Sequence, residues 1–142
     1  MLVPEEVLSA VVADASASHT NPRFVEETVG AFMRRQPIVG NYVAAHQNEL
    51  GIEGVVLVLL HAAILLRAVE RAAGKKMGPL APQHLDAGLK RAGEAEFGKA
   101  EPAIRDYLSA NVADDATLKD PTRKKEALQL LRVIAVSLCD RI

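Results

Sequence analysis

Apolar residues recur along most of the chain at the three- and four-residue spacing of amphipathic helices. Five of the seven prolines follow a break in one such pattern and precede the next. Proline suits the first position of a helix, because the N–H group that it lacks has no partner there. The pattern predicts about seven helices: around residues 7–12, from Pro22 to about Arg35, from Pro37 to about Asn48, over 51–73, from Pro82, around 104–112, and at the C-terminal end.

The most apolar segment is residues 54–70, GVVLVLLHAAILLRAVE, with His61 in its middle. Apolar side chains between residues 55 and 66 point in every direction around a helix, whereas charged residues lie near the two ends. A helix that is apolar on all sides is typical of the centre of a bundle. The sequence therefore predicts one all-α domain, residues 1–142, wrapped around a buried central helix at residues 51–73.

The charges that bound this segment argue against a membrane anchor. The uncharged residues between Glu53 and Arg67 are residues 54–66. A helix of that length spans roughly 20 Å, whereas the hydrocarbon core of a bilayer is roughly 30 Å thick. The sequence therefore predicts no membrane partner.

The amino-acid composition indicates which other partners and which cellular compartment to expect. The chain carries 17 Lys and Arg against 18 Asp and Glu, and 4% of its residues are aromatic. It therefore offers nucleic acid neither a general attraction nor many stacking faces, which disfavours that partner. Cys139 is the single cysteine, and Glu5 and Glu6 lie where a secretory signal would be basic. Both features predict a cytoplasmic protein. We expect the Cys139 thiol to be buried in the core and unreactive.

His61 is the first candidate for chemistry. Inside the predicted central helix we expect its imidazole to be neutral, because a buried charge without a carboxylate is costly. The simplest interpretation is a core histidine that forms one hydrogen bond, with a carbonyl or with the hydroxyl of Tyr42 or Tyr107. The alternative is a general base or ligand-binding group in a pocket between helices.

That alternative needs partners, and the candidates are His46, Glu49 and Tyr42. His46 and Glu49 stand three residues apart, as inward His and Glu do in the metal sites of helical bundles. Di-iron sites of that kind need paired Glu-x-x-His motifs, and the chain contains none. The sequence therefore offers His61, His46, Glu49 and Tyr42 as candidate ligand-binding residues, without a metal or another cofactor.

A basic cluster, Arg123, Lys124 and Lys125, falls in the predicted first turn of the last helix. Cations there oppose the helix dipole, so the cluster is a candidate for holding an anion. The simpler interpretation is a solvated face paired with Glu126 or Asp120.

The last helix carries an apolar face that covers about half of its circumference, which is wider than a surface helix usually needs. Its members are Leu128, Leu130, Leu131, Ile134, Ala135, Leu138 and Ile142. Either the core covers this face or a partner helix does. Together with the apolar second helix, it predicts a homodimer, the commonest symmetric assembly.

The motifs of common enzymes are missing from the sequence. No serine lies in a G-x-S-x-G pattern, and no glycine run forms a phosphate-binding or dinucleotide loop. The sequence therefore favours a non-catalytic module that acts through self-association or a protein partner. The alternative is a small-molecule or metal-dependent enzyme with a pocket around His61.

Overall fold

A computed structural model describes residues 2–18, 21, 23–113 and 118–141, and these residues form eight α-helices and no strand. The helices are α1 (Glu5–Ser18), α2 (Phe24–Arg35), α3 (Pro37–Ala44), α4 (Gln47–Ala73), α5 (Pro82–Arg91), α6 (Glu94–Ala100), α7 (Pro102–Asn111) and α8 (Pro121–Asp140). The predicted all-α class is confirmed. The additional helix is α6, which begins directly after Gly93.

Proline begins four of the helices, as predicted. The four are α3, α5, α7 and α8. At α8 the preceding Asp120 also caps the helix, because its carboxylate accepts a 2.8 Å hydrogen bond from the Thr122 N–H. The predicted start of the second helix, Pro22, lies outside the described residues.

The long helix α4 is the centre of the bundle. It packs most extensively against α8, and also against α1, α2 and α3. Its axis breaks near the start at Gly51, whose φ of 74° and ψ of 166° are accessible almost only to glycine. The prediction that the third helix runs to about Asn48 is wrong, because α3 ends at Ala44 and a turn at residues 45–46 leads into α4.

The central helix is mostly but not wholly enclosed. Between residues 58 and 69 every side chain is buried except Leu60, which is half-buried, and Arg67, which is exposed. Near its start Ile52 is 70% exposed and Val56 is 37% exposed. The predicted buried central helix is therefore confirmed for most of its length, and Ile52 and Val56 leave one edge near its start exposed.

By length and composition α4 is able to cross a membrane, although the count of uncharged residues argued otherwise. In its most apolar 18-residue stretch, 61% of the residues are buried inside the protein. The apolar length of α4 is thus used mainly for packing within the bundle.

The wide apolar face of α8 is covered within the chain. Leu130, Leu131, Ile134 and Leu138 are all at most 2% exposed, chiefly against α4 and α5. Ile142, the last member of the predicted face, lies outside the described residues. A partner helix is therefore not needed to cover α8, and the predicted homodimer requires a different surface.

The segment between α4 and α5, residues 74–81, is fixed to the bundle by polar side chains. Glu70 accepts a pair of hydrogen bonds from the Arg35 guanidinium and a third, of 2.7 Å, from the Met77 N–H. The neighbouring Gln36 is fully buried and bonds to the same segment at Gly78 and Leu80. These contacts hold the loop against α2.

The Glu70 contacts predict how stability depends on pH. Burial raises the pKa of this carboxyl, but the hydrogen bonds from Arg35 and Met77 together lower the pKa by more than burial raises it. The pKa of Glu70 is therefore below its ordinary value. A depressed pKa stabilises the fold above the unfolded carboxyl's pKa, and this contribution is lost as the pH falls through the folded pKa. We expect Glu70→Gln to cost about 1–2 kcal/mol at pH 7 and much less in acid.

Urea unfolding of the wild type and of Glu70→Gln near pH 7 and near pH 3 measures this dependence. Glu26→Gln, a change at an exposed carboxyl of α2, is the control. A loss for Glu70→Gln that stays the same at both pH values would contradict the assignment.

Candidate functional site

His61 forms a buried pair with Tyr107 of α7. A hydrogen bond joins the His61 Nδ1 to the Tyr107 hydroxyl, and the two ring centroids lie 5.5 Å apart. His61 is only 8% exposed and Tyr107 is also buried. Of the two phenols that the sequence offered, Tyr107 is the partner. Burial raises the pKa of Tyr107, so its hydroxyl stays protonated near neutral pH.

The Tyr107 ring lines a groove between α1 and α7, the α1–α7 groove, with a volume of about 350 Å³. Its lining residues are Glu5, Leu8, Ser9, Val12 and Ala13 of α1 with Ala103, Asp106, Tyr107 and Asn111 of α7. The small side chains Ser9, Ala13 and Ala103 leave space that larger residues would fill. His61 therefore contacts one of the residues that line a ligand-sized groove, and it is not itself a lining residue.

The groove has an apolar inner wall, and two carboxylates are exposed among its lining residues. Leu8 is buried and Val12 is half-buried, so aliphatic carbon forms the inner wall. Glu5 and Asp106 are exposed carboxylates, and Asp106 is 3.1 Å from the Nε of its neighbour Arg105. The arrangement fits a ligand with an apolar body and a positively charged end.

The other predicted ligand residues lie elsewhere. His46 occupies the turn before α4, where its Nδ1 is 2.9 Å from the Tyr42 carbonyl oxygen and its Nε2 is 3.6 Å from the Glu126 carboxylate. Glu49 is exposed in the first turn of α4. About 15 Å of helix separates Gly51 from His61. The structure therefore places His46 with Tyr42 and Glu126, and it does not bring His46 or Glu49 to His61.

The part of the chain that the structure describes contains no candidate metal centre. Within it, no three or more His, Cys, Asp or Glu side chains come together in a way that could hold a metal ion. Cys139 is buried, and burial and then the nearby Glu101 raise the pKa of its thiol to about 12. A thiol that stays protonated is a poor nucleophile.

The basic cluster lies at the start of α8. Arg123 and Lys125 are exposed and Lys124 is half-buried. The Arg123 guanidinium packs over Gly51, since a Cβ atom on that glycine would lie 2.9 Å from the Arg123 Nη1. This contact gives Arg123 a structural role at the break in α4, and anion binding stays a prediction from the sequence.

A second groove, the α2–α4 groove, has a volume of about 440 Å³. Its lining residues are Asn21, Phe24, Glu27, Thr28, Ala31, Phe32, Arg35, Ala63, Leu66 and Arg67. The sequence predicted neither groove, because each forms between helices whose mutual placement is not visible in a local pattern.

Comparison of the chain with protein-family models, with curated proteins and with solved structures finds no match.

Proposed function

We propose that this protein is a non-catalytic binding protein whose α1–α7 groove takes a small amphiphilic cation, such as an aliphatic chain that ends in an ammonium group. The observation that carries the proposal is the combination of an aliphatic inner wall with carboxylates on both helices, Glu5 on α1 and Asp106 on α7.

The dimensions of the groove favour a small ligand over a protein partner. Its volume of about 350 Å³ is at the lower end of the range for small-molecule sites, roughly 300–1,000 Å³. The lining residues of α1 run from Glu5 to Ala13, about 12 Å of helix. A partner helix that docks through three turns needs a groove of about 16 Å, which is longer than this one.

The surroundings of His61 support binding without catalysis. Its Nδ1 is bonded to the Tyr107 hydroxyl and its side chain is almost fully covered. A general base must reach the proton that it abstracts, directly or through one water molecule. The residues that line the groove include Tyr107 and do not include His61.

Calorimetric titration with three probes of equal chain length tests the proposal: hexylammonium, 1-hexanol and hexanoate. We expect binding in about the millimolar range or tighter, with hexylammonium the tightest and hexanoate the weakest. Asp106→Asn should weaken hexylammonium about two- to fivefold and leave 1-hexanol unchanged, because an exposed charge contributes little. Preference for hexanoate, or no binding of any probe, would refute the proposal.

Two tryptophan variants locate the binding site. Ala13 is exposed in the α1–α7 groove, and Ala31 is exposed in the α2–α4 groove. We expect Ala13→Trp to fill its groove and lower the affinity for hexylammonium about tenfold or more. A loss of this size corresponds to the free energy of one well-buried apolar contact. Ala31→Trp should leave it unchanged, and the reverse result would place the ligand in the α2–α4 groove.

The alternative function is a small-molecule enzyme in the same groove, and the contact between Tyr107 and His61 is the observation that favours it. A substrate hydroxyl bonded to the phenol could exchange a proton with the imidazole behind it. That mechanism predicts that Tyr107→Phe weakens 1-hexanol about fivefold, the loss of one hydrogen bond. Our proposal predicts less than about a twofold change, because the hydroxyl is engaged by His61.

A further inference from the structure

One edge of α4 carries exposed apolar side chains, although most of the apolar residues of this helix are buried. Ile52, Val56, Leu60, Ala63 and Arg67 follow one another at three- and four-residue spacing, so they share one face, here called the α4 edge. Ile52 and Val56 are exposed, and Leu60 is half-buried. Isolated apolar residues are common on protein surfaces, whereas a row on one helix face indicates a contact surface.

The α4 edge leads directly into the α2–α4 groove. Ala63 and Arg67 belong to both, and Phe24, Phe32 and Leu66 supply much of the groove's apolar wall. One end of the edge therefore presents a protruding side chain, Ile52, and the other end opens into a cavity of about 440 Å³.

The two ends of the α4 edge also carry opposite charges. Glu49 and Glu53 are exposed at the end that carries Ile52, and Arg67 is exposed at the end that opens into the groove. Glu53 and Arg67 stand seven residues before and after Leu60. An antiparallel pairing of two such edges about Leu60 brings Glu53 of each copy opposite Arg67 of the other copy.

We propose that two copies of the chain associate through their α4 edges, antiparallel about Leu60, with Ile52 of each copy in the α2–α4 groove of the other. Ile52 is eight residues from Leu60, about 12 Å along the helix, and Leu66 and Arg67 lie about 9–11 Å beyond Leu60 in the other direction. The protruding residue and the cavity are thus nearly equidistant from the two-fold axis.

A second copy is the partner that this surface fits. One face carries both the protrusion and the cavity, and both signs of charge, as a two-fold symmetric contact requires. From Ile52 to Arg67 the edge is about 22 Å long and one helix wide, which is less than a standard interface of roughly 800 Å² per partner. We therefore expect a weak dimer that forms at micromolar or higher concentration.

Sedimentation velocity over a concentration series up to about 500 µM measures the association, because a weak dimer dissociates on dilution. We expect the wild type to change from monomer to dimer within this range. Ile52→Glu should weaken the dimer at least about tenfold, since it replaces the apolar contact with Phe24, Phe32 and Leu66 by a carboxylate that loses its hydration. Leu89→Glu is the matched control, because Leu89 is 51% exposed on α5, away from the edge.

Charge exchange tests the antiparallel register. Glu53→Arg and Arg67→Glu should each weaken the dimer, and the double variant should recover most of the loss because the pair is restored with its signs reversed. A wild type that stays monomeric at the highest concentration would overturn the proposal, as would an Ile52→Glu variant that dimerises like Leu89→Glu. A double variant weaker than both single variants would overturn the register.

Discussion

Replacement of the buried Gln36 by leucine should lower the free energy of unfolding by about 2–4 kcal/mol. The Gln36 amide donates a 3.0 Å hydrogen bond to the Gly78 carbonyl, and its Oε1 accepts a 2.8 Å bond from the Leu80 N–H. Leucine has nearly the same size but leaves both backbone groups without this partner. Since Leu80 is buried, its N–H would lose a hydrogen bond that water cannot easily replace.

Chemical unfolding in urea measures this loss, and Gln83→Leu is its control. Gln83 is exposed in the first turn of α5, so this change should stay within about 0.5 kcal/mol. Equal stability of the two variants would mean that the Gln36 contacts do not hold the segment of residues 74–81.

The second large effect is expected at Gly88, where α5 meets α8. Alanine normally stabilises a helix by about 1 kcal/mol relative to glycine. Here an added Cβ would overlap the Ser137 Oγ and lie 3.0 Å from the Val133 carbonyl oxygen. Because the backbone of α8 cannot move away easily, Gly88→Ala should cost a net 1–3 kcal/mol, about the usual cost of overpacking.

A double-mutant cycle identifies the cause of this loss. Ser137→Ala removes the hydroxyl that the new methyl group meets, so the pair should recover about 1 kcal/mol relative to the sum of the single changes. Gly93→Ala is the control, because a Cβ there meets no atom within 4 Å and its φ is −59°. A Gly88→Ala protein as stable as Gly93→Ala would show that α5 and α8 are not in close contact.

The sequence predicted those parts of the fold that depend on local signals. Proline at a first helical position and the apolar spacing between prolines located the starts of α3, α5, α7 and α8. The long apolar run located α4, because helix propensity and hydrophobicity agree along it. The small helix α6 was missed because its seven residues, EAEFGKA, carry too few apolar positions to show a period.

Tertiary contacts decided what the sequence left open. The width of the apolar face on α8 is the same whether the core or another chain covers it, so the pattern could not distinguish these cases. The hydrogen bond of His61 joins residues 46 positions apart, and nothing local favoured Tyr107 over Tyr42. The buried role of Gln36 was not visible, because a single glutamine beside a proline is typical of an exposed turn.

Chemical-shift mapping shows whether a small cation binds in the α1–α7 groove. Uniformly ¹⁵N-labelled protein is titrated with hexylammonium to about 10 mM, well above the expected dissociation constant. We predict that the largest amide shifts fall at Leu8, Val12, Ala103 and Tyr107, on the two helices that form the groove. Largest shifts around Phe24 and Leu66, or no shifts at all, would contradict the claim.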